Sequence, residues 1–136
     1  MSEALIFVDT NIPLYAMGPT HPYKESCLLW LKAAAEGRRQ AVTDVEVLQE
    51  ILYRSWSRKE LSFGFEIFEH VRILLPAVYP VTLVDIERAK SLLEDVPALS
   101  PRDAIHAAVM LNREIATILS FDRDFDRVKG LKRVEP

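Results

Sequence analysis

The sequence predicts an α/β fold in which helices cover both faces of a mostly parallel sheet. Short apolar runs alternate along the chain with longer segments of helical periodicity, as strands joined by crossover helices do. The runs Ala4–Val8 and Ala116–Phe121 are rich in apolar and β-branched residues, which is typical of strands buried on both faces. The 136 residues, 49% hydrophobic and 27% charged, are enough for one full core, so we expect a single domain over residues 1–136.

The first half of the chain contains two predicted strands and three predicted helices. Pro19 and Pro22 separate the first two helices, and Gly37 ends the second. Thr43 and Glu46 have the spacing of a capping box, which predicts that Thr43 is the N-cap of the third helix. In order, these elements are strand Ala4–Val8, a short helix after the turn Asp9–Pro13, a helix from about Tyr23 to Glu36, strand Gln40–Thr43 and a helix to about Trp56.

The second half contains three further predicted helices and two or three strands. Pro76 ends the first of these helices, Thr82 and Asp85 form a second capping-box pattern, and Pro101 occupies a favoured first helical position. In order, the elements are helix Leu61–Leu75, a strand or extended link over Ala77–Val81, a helix from Thr82 to about Asp95, a helix from Ser100 to about Asn112–Glu114, and strands Thr117–Ser120 and Leu131–Val134. We expect Asp122–Val128 to form a loop or helical turn between the last two strands.

The helix Leu61–Leu75 is apolar over a wide arc. Its apolar residues are Leu61, Phe63, Phe65, Ile67, Phe68, Val71 and Leu74. A helix of this kind has two neighbours to contact, and with Tyr53 and Trp56 on the preceding helix it is a candidate homodimer interface. Burial of the helix within one domain explains the same pattern equally well.

Composition excludes several classes of protein. The net charge of −3 argues against binding nucleic acid through the overall electric field, although a local basic patch is compatible with it. The apolar stretches are shorter than the ~18 residues of a membrane span, and the amino terminus lacks the pattern of a secretory leader, so we expect a cytoplasmic protein with no membrane association. Cys27 is the single cysteine, which excludes an internal disulfide and a cysteine-based zinc site.

Acidic residues follow two of the predicted buried strands. Asp9 comes directly after Val8, and Asp122 comes directly after Phe121. Parallel α/β sheets bind ligands beyond the carboxyl ends of their strands, so both acids are expected at the edge where such folds bind ligands. Asp103, in the first turn of a predicted helix, also lies near an element end.

Each acid also has an ordinary structural explanation. Asp9 could cap the short helix that follows it, and Asp103 could pair with Ser100 in a capping box. Asp122 and its neighbours could be turn residues. Glu50 lies opposite the apolar stripe of its own helix, formed by Val45, Leu48, Ile51, Leu52 and Trp56, so periodicity alone predicts that Glu50 is exposed.

Four segments together resemble the motifs of PIN-domain ribonucleases, especially the VapC-type toxins of prokaryotic toxin-antitoxin pairs. The resemblance covers essentially the whole chain and includes the order of the motifs. The segments are Phe7–Asn11, Glu46–Leu52, Leu99–Ala108 and Leu119–Asp126.

The resemblance implies a three-layer α/β/α sandwich and a metal-dependent endoribonuclease. In it, the places of the family's acidic quartet are taken by Asp9, Glu50, Asp103 and Asp122. Periodicity and resemblance therefore disagree on Glu50, which the resemblance places in an open active-site groove. Asp126 is a candidate outer contributor, and the role of Asp124 stays open. The implied partners are an RNA substrate, a small antitoxin protein and a second copy of the chain.

Clustered carboxylates without a matching set of Cys or His ligands select hard cations, so we expect Mg²⁺ or Mn²⁺. Asp9, Asp103 and Asp122 are assigned as the main ligands, and Glu50 to a second metal position or to orienting the attacking water. The number of ions stays open. We interpret His106, three residues after Asp103, as a packing or hydrogen-bonding residue outside the catalytic set.

Two other classes of function compete with the nuclease. A non-catalytic PIN-like module that binds RNA or protein is disfavoured because all four acids are present. A phosphoryl-transfer or receiver domain with Asp9 as acceptor fits poorly, because Asp9-Thr10-Asn11 lacks a second acid two residues on.

Overall fold

A computed structural model of the protein describes residues 4–136. Their strands are β1 (Ile6–Val8), β2 (Ala41–Asp44), β3 (Val78–Tyr79), β4 (Thr117–Leu119) and β5 (Lys132–Val134). Their helices are α1 (Asn11–Met17), α2 (Lys24–Ala35), α3 (Val45–Ser57), α4 (Leu61–Leu74), α5 (Leu83–Asp95) and α6 (Pro101–Asn112). A short 3₁₀ helix, Arg123–Arg127, connects β4 to β5. The predicted order of elements is confirmed, and the uncertain segment after Pro76 is a strand.

The five strands form one sheet in the order β3-β2-β1-β4-β5, and every pairing is parallel. The connections from β1 to β2 and from β2 to β3 cross the sheet in one direction, and that from β3 to β4 returns in the other. Because such crossovers are right-handed, α1 to α4 lie on one face and α5 and α6 on the opposite face. The predicted three-layer α/β/α sandwich with a parallel sheet is confirmed.

The central strands are buried as predicted. Phe7, Val8, Ile118 and Leu119 are fully buried in the sheet, under the helices on both faces. Side chains and backbone also join the strand ends: the Thr43 hydroxyl donates to the Val8 carbonyl at 3.0 Å, and the Asp9 N–H donates to the Leu119 carbonyl at 3.1 Å. The carboxyl ends of β2, β1 and β4 are therefore held side by side.

The predicted capping box between Thr43 and Glu46 is wrong. Asp44 is the N-cap of α3, and its Oδ1 accepts the Val47 N–H at 3.0 Å. Thr43 still belongs to β2, where its hydroxyl is bonded to β1. Thr and Asp are both favoured N-cap residues, so Thr43 and Asp44 could each cap α3. Asp44 is the cap because β2 ends one residue later than predicted. The predicted Thr82–Asp85 capping box is confirmed.

Asp85 also ties α5 to α6, the helix that carries Asp103. Its carboxylate is buried and accepts hydrogen bonds from Asn112 and Arg113, at 2.8 and 3.0 Å. Burial acts to raise the pKa of Asp85, but the bonds from Arg113, Asn112 and Thr82 outweigh it and hold that pKa well below its usual range. The ion pair therefore fixes the position of α6 on its face of the sheet.

The helices α3 and α4 pack unusually closely. A Cβ atom at Gly64 would lie 2.0 Å from Ser55 Oγ and 2.4 Å from Ser55 Cβ, so only glycine fits there. On α4, Ile67 and Val71 are buried, whereas Phe65 is 54% exposed. The wide apolar arc thus divides into a face packed in the domain and a face that remains exposed. None of the helices within residues 4–136 has the length and apolar character needed to cross a membrane.

Candidate active site

Polar residues meet where β2, β1 and β4 end. Asp44 is the last residue of β2, Asp9 follows β1, and Ser120 and Asp122 follow β4. These three strands are neighbours in a parallel sheet, so their carboxyl ends lie at one edge. Glu50 from α3 and Asp103 from α6 reach the same edge. The structure brings all four predicted acids to one cavity of about 380 Å³.

Asp9 lines the cavity and is only 4% exposed. Its Oδ1 accepts the Thr10 N–H at 2.8 Å, and its Oδ2 accepts the Ser120 hydroxyl at 2.6 Å. Burial raises the pKa of Asp9, while nearby His106 and the two hydrogen bonds act to lower it. The carboxylate is thus fixed in orientation before any ligand arrives.

Glu50 is buried, and the exposure that helical periodicity predicted for it is wrong. Its Oε1 accepts the Thr10 hydroxyl at 2.8 Å, and its Oε2 lies 3.4 Å from the Arg102 guanidinium. Burial acts to raise the pKa of Glu50, but His106, Thr10 and Arg102 lower it below its usual value. Glu50 is therefore a fixed carboxylate at neutral pH.

Helical periodicity gave the wrong prediction for Glu50 because its apolar stripe is not the side of α3 that is buried. The buried residues of this helix are Val47, Leu48, Glu50, Ile51 and Ser55. Val45 and Trp56, which belonged to the predicted stripe, are 42% and 61% exposed. Glu50 lies at the edge of the buried arc that faces the strand ends.

Asp103 and Asp122 both line the cavity, and their carboxyl groups influence each other. The Ser100 hydroxyl accepts the Asp103 N–H at 3.1 Å, so one half of the predicted capping interaction is present. The Asp103 carboxyl lines the cavity. Burial, the neighbouring Asp122 carboxyl and the charge of Asp9 raise the pKa of Asp103 to about 8. Asp103 therefore holds a proton when no cation balances these acids.

The two further acids near Asp122 differ in position. Asp124 lines the cavity, and its N–H donates to Asp122 Oδ1 at 2.9 Å. Asp126 is exposed and pairs with Arg133, with 3.0 Å between Asp126 Oδ1 and Arg133 Nε. Asp126 is not among the described residues that line the cavity, so no contact supports the outer contribution suggested for it.

A buried pair, Asp44 and His106, lies beneath the acids. His106 Nδ1 is 2.9 Å from Asp44 Oδ2, and both side chains are fully buried. Burial acts to lower the pKa of His106, but Asp44, Glu50 and Asp9 raise it well above its usual value. The predicted hydrogen-bonding role of His106 is thus present, whereas Asp44 was not among the residues singled out from the sequence. Its position one residue past Thr43, at a strand end like that of Asp9, was the signal.

The donor set fits a hard divalent cation. The cavity brings together carboxylates from Asp9, Glu50, Asp103 and Asp122, and no cysteine lies among its lining residues. Oxygen ligands of this kind are those that Mg²⁺ and Mn²⁺ prefer, and a cation would remove the repulsion that keeps a proton on Asp103.

A second cavity of about 640 Å³ adjoins the acidic one and shares Asn11 and Arg54 with it. Arg58 and His21 also line it. Four aromatic rings, those of Tyr15, His21, Tyr23 and Phe121, pack together beside it. The Tyr23 ring stacks on Phe121 with 4.2 Å between centroids, and Phe121 directly precedes Asp122.

Known proteins resemble this chain in sequence and in fold. A family model described as the PIN domain matches residues 6–131. The chain is 39% identical over 130 residues to Ribonuclease VapC13 of Mycobacterium tuberculosis, a match that covers 96% of this chain and 99% of that protein. Among solved structures it is similar to M. tuberculosis VapC20, described as a sarcin-ricin loop cleaving toxin, with a TM-score of 0.76, 24% identity and coverage of 96% and 99% of the two chains. A chain of Rickettsia felis VapBC2, solved with a promoter DNA fragment, gives a TM-score of 0.76 at 16% identity, with coverage of 97% and 98%. This chain belongs to the PIN-domain family, among the VapC ribonucleases.

Proposed function

We propose that this protein is a metal-dependent endoribonuclease that hydrolyses RNA phosphodiester bonds and acts as the toxin of a toxin-antitoxin pair. The observation that carries the proposal is the convergence of Asp9, Glu50, Asp103 and Asp122 on one cavity from four separate parts of the chain. The family membership and the ribonuclease names of its relatives support the same activity. The RNA substrate implies action in the cytoplasm.

The residues around the cavity would have different roles in hydrolysis. When bound, Mg²⁺ or Mn²⁺ would activate water and offset the charge that develops on the phosphodiester. Asp9, Asp103 and Asp122 would hold the cation. Glu50 would orient the attacking water or support a second cation, because its carboxylate is ionised and fixed by Thr10. Attack by water leaves a 5′-phosphate and a 3′-hydroxyl, since the RNA 2′-hydroxyl is not the nucleophile.

The neighbouring cavity supports RNA as the substrate. Arg54 and Arg58 line it beside the acidic cavity, where they can pair with the phosphates of the strand. The aromatic rings of Tyr15, Tyr23 and Phe121 lie close by, and unpaired RNA bases stack on such rings. An acidic protein can thus bind RNA through a local surface rather than through its net charge.

Two protein partners belong to this proposal. The first is a small antitoxin, because solved relatives include VapBC complexes. The second is another copy of this chain. The exposed apolar residues Tyr53, Trp56 and Phe65 of α3 and α4 are 48%, 61% and 54% exposed, and a symmetric contact would cover them.

RNA cleavage in Mg²⁺ or Mn²⁺ tests the enzymatic proposal. Wild type is compared with Asp9→Asn and Asp103→Asn, and with Asp95→Asn as a matched control at the exposed end of α5. Loss of a cation ligand should lower cleavage by at least about 100-fold, beyond the ~10–100-fold typical of outer-shell partners, while the control cleaves like wild type. Equal cleavage by all four proteins would contradict the proposal.

Growth on expression tests the toxin role separately. Wild type should arrest growth and Asp9→Asn should not, and co-expression of the small protein encoded beside it should restore growth. If the wild-type protein cleaves RNA but its expression leaves growth normal, the nuclease proposal stands and the toxin proposal is contradicted.

A further inference from the structure

The contact with Asp44 leaves one nitrogen of the His106 ring without a hydrogen-bond partner among the described residues. The ring is fully buried, and Nε2 makes no hydrogen bond to any of the described residues. The Nε2 atom lies 3.9 Å from Asp9 Oδ1 and 3.9 Å from Glu50 Oε1, and both distances are beyond hydrogen-bonding range. Buried polar atoms are nearly always bonded, so an orphaned nitrogen that faces the carboxylates indicates an absent ligand.

The spacing of the surrounding atoms fits one ion. Asp9, Asp103 and His106 each offer one ligand atom, and these atoms lie within 4.8 Å of one another. Two ligands on opposite sides of an octahedral cation, each at ~2.1 Å, are about 4.2 Å apart, so small side-chain movements bring all three into contact with it.

Asp44 fixes the ring in the required tautomer. A carboxylate only accepts hydrogen bonds, so the contact of 2.9 Å between Asp44 Oδ2 and His106 Nδ1 places a proton on Nδ1. The neutral ring then has its lone pair on Nε2. Metal-binding histidines commonly donate their other N–H to a carboxylate in this way.

Building on the metal dependence proposed above, we propose that His106 is a direct metal ligand through Nε2, positioned by Asp44, alongside the carboxylates of Asp9 and Asp103. Coordination would use the Nε2 lone pair, which the neutral ring offers when Nδ1 carries the proton. Imidazole is a good ligand for transition metals but a poor one for Mg²⁺. The site therefore selects Mn²⁺ over Mg²⁺ more strongly than carboxylates alone would.

Electron spin echo envelope modulation of bound Mn²⁺ tests this directly, since it detects a coordinated nitrogen. The chain has three histidines, so labelling with ¹⁵N-histidine assigns the signal to this residue type. Wild type should show a coordinated imidazole nitrogen, and so should the control His70→Gln, which changes an exposed histidine on α4. His106→Gln should lack it.

A second variant, Asp44→Asn, tests the role of Asp44 and keeps the His106 ring in place. In Asp44→Asn, the amide oxygen can keep the N-cap bond to Val47 while its NH₂ group donates to His106 Nδ1. The remaining ring proton then resides on Nε2 and blocks coordination, so the nitrogen signal should weaken or vanish. In titrations with each metal, both variants should lower Mn²⁺ affinity by about tenfold or more and Mg²⁺ affinity by less than about threefold.

The outcomes separate the two proposals. Mn²⁺ bound to wild type without a coordinated nitrogen would overturn the role of His106 and leave the carboxylate nuclease intact. Failure of wild type to bind either Mn²⁺ or Mg²⁺ would overturn both.

Discussion

The Thr10 hydroxyl donates a hydrogen bond of 2.8 Å to Glu50 Oε1, joining residues 40 positions apart in the chain. Thr10 also donates its N–H to Asp9 Oδ1 at 2.8 Å. One residue, between β1 and α1, therefore orients two of the four acids.

Removing the Thr10 hydroxyl should impair catalysis more than stability. Thr10→Val keeps the shape of the side chain but leaves Glu50 without its donor, and we expect kcat/KM for RNA to fall by about 10-fold or more. Thr10→Ser retains the hydroxyl and should stay within about threefold of wild type. Equal losses in both variants would indicate that packing of the methyl group, not the bond to Glu50, is what matters.

Metal-free protein should lose stability as the pH rises through the pKa of Asp103, which is about 8. The usual pKa of Asp is 3.8, so between these values the folded state binds more protons than the unfolded state. Stability from this group is complete below pH ~4 and is lost as the pH rises through ~8.

Thermal unfolding in EDTA at pH 5 and pH 8.5 measures this effect. Asp103→Asn cannot ionise, so at pH 8.5 it should unfold at a higher temperature than wild type, by about 4 °C for each kcal/mol of repulsion removed. Added Mn²⁺ should then stabilise wild type but not the variant. A variant that is less stable than wild type at both pH values would contradict this account.

Substitutions of Asp124 and Asp126 should differ in their effect on RNA cleavage, although the two residues are only two positions apart. Asp124 lines the acidic cavity, so Asp124→Asn should lower cleavage by about 3-fold to 10-fold. Asp126 pairs with Arg133 at the surface, where an ion pair is worth about 0–1 kcal/mol, so Asp126→Asn should cleave within about twofold of wild type. A larger loss of cleavage in Asp126→Asn would support the outer role that the sequence suggested for Asp126 at the acidic site.

The close contact of α3 with α4 predicts a specific stability effect. Gly64→Ala places a Cβ atom 2.0 Å from Ser55 Oγ and should lower the free energy of unfolding by about 1–3 kcal/mol. Ser55→Gly removes the obstacle, so the double variant should be less destabilised than the sum of the single variants by about 1 kcal/mol. Additive losses in urea unfolding would show that the helices separate to accommodate the methyl group.

The sheet and the strand-end acids could be predicted because their signals are local. Asp9 and Asp122 follow apolar runs in the sequence, and parallel strands bring their carboxyl ends together wherever they lie in the chain. The order of helices and strands followed from proline, glycine and capping patterns in the same way.

The position of Glu50 could not be predicted from its own helix. Its burial depends on which side of α3 packs on the sheet, and the exposed apolar side chains of Val45 and Trp56 place the centre of the apolar stripe away from Glu50. Only the resemblance of the whole motif identified it. The pairing of Asp44 with His106 was also hidden, because it joins residues 62 positions apart through side chains of two elements.

The chemistry of the RNA ends tests the central claim most directly. Cleavage products formed by wild type with Mn²⁺, and again after EDTA treatment and return of the metal, are analysed for their terminal groups. The proposed mechanism predicts 5′-phosphate and 3′-hydroxyl ends that form only with the metal. Products with 2′,3′-cyclic phosphate ends, or cleavage that persists in EDTA, would contradict it.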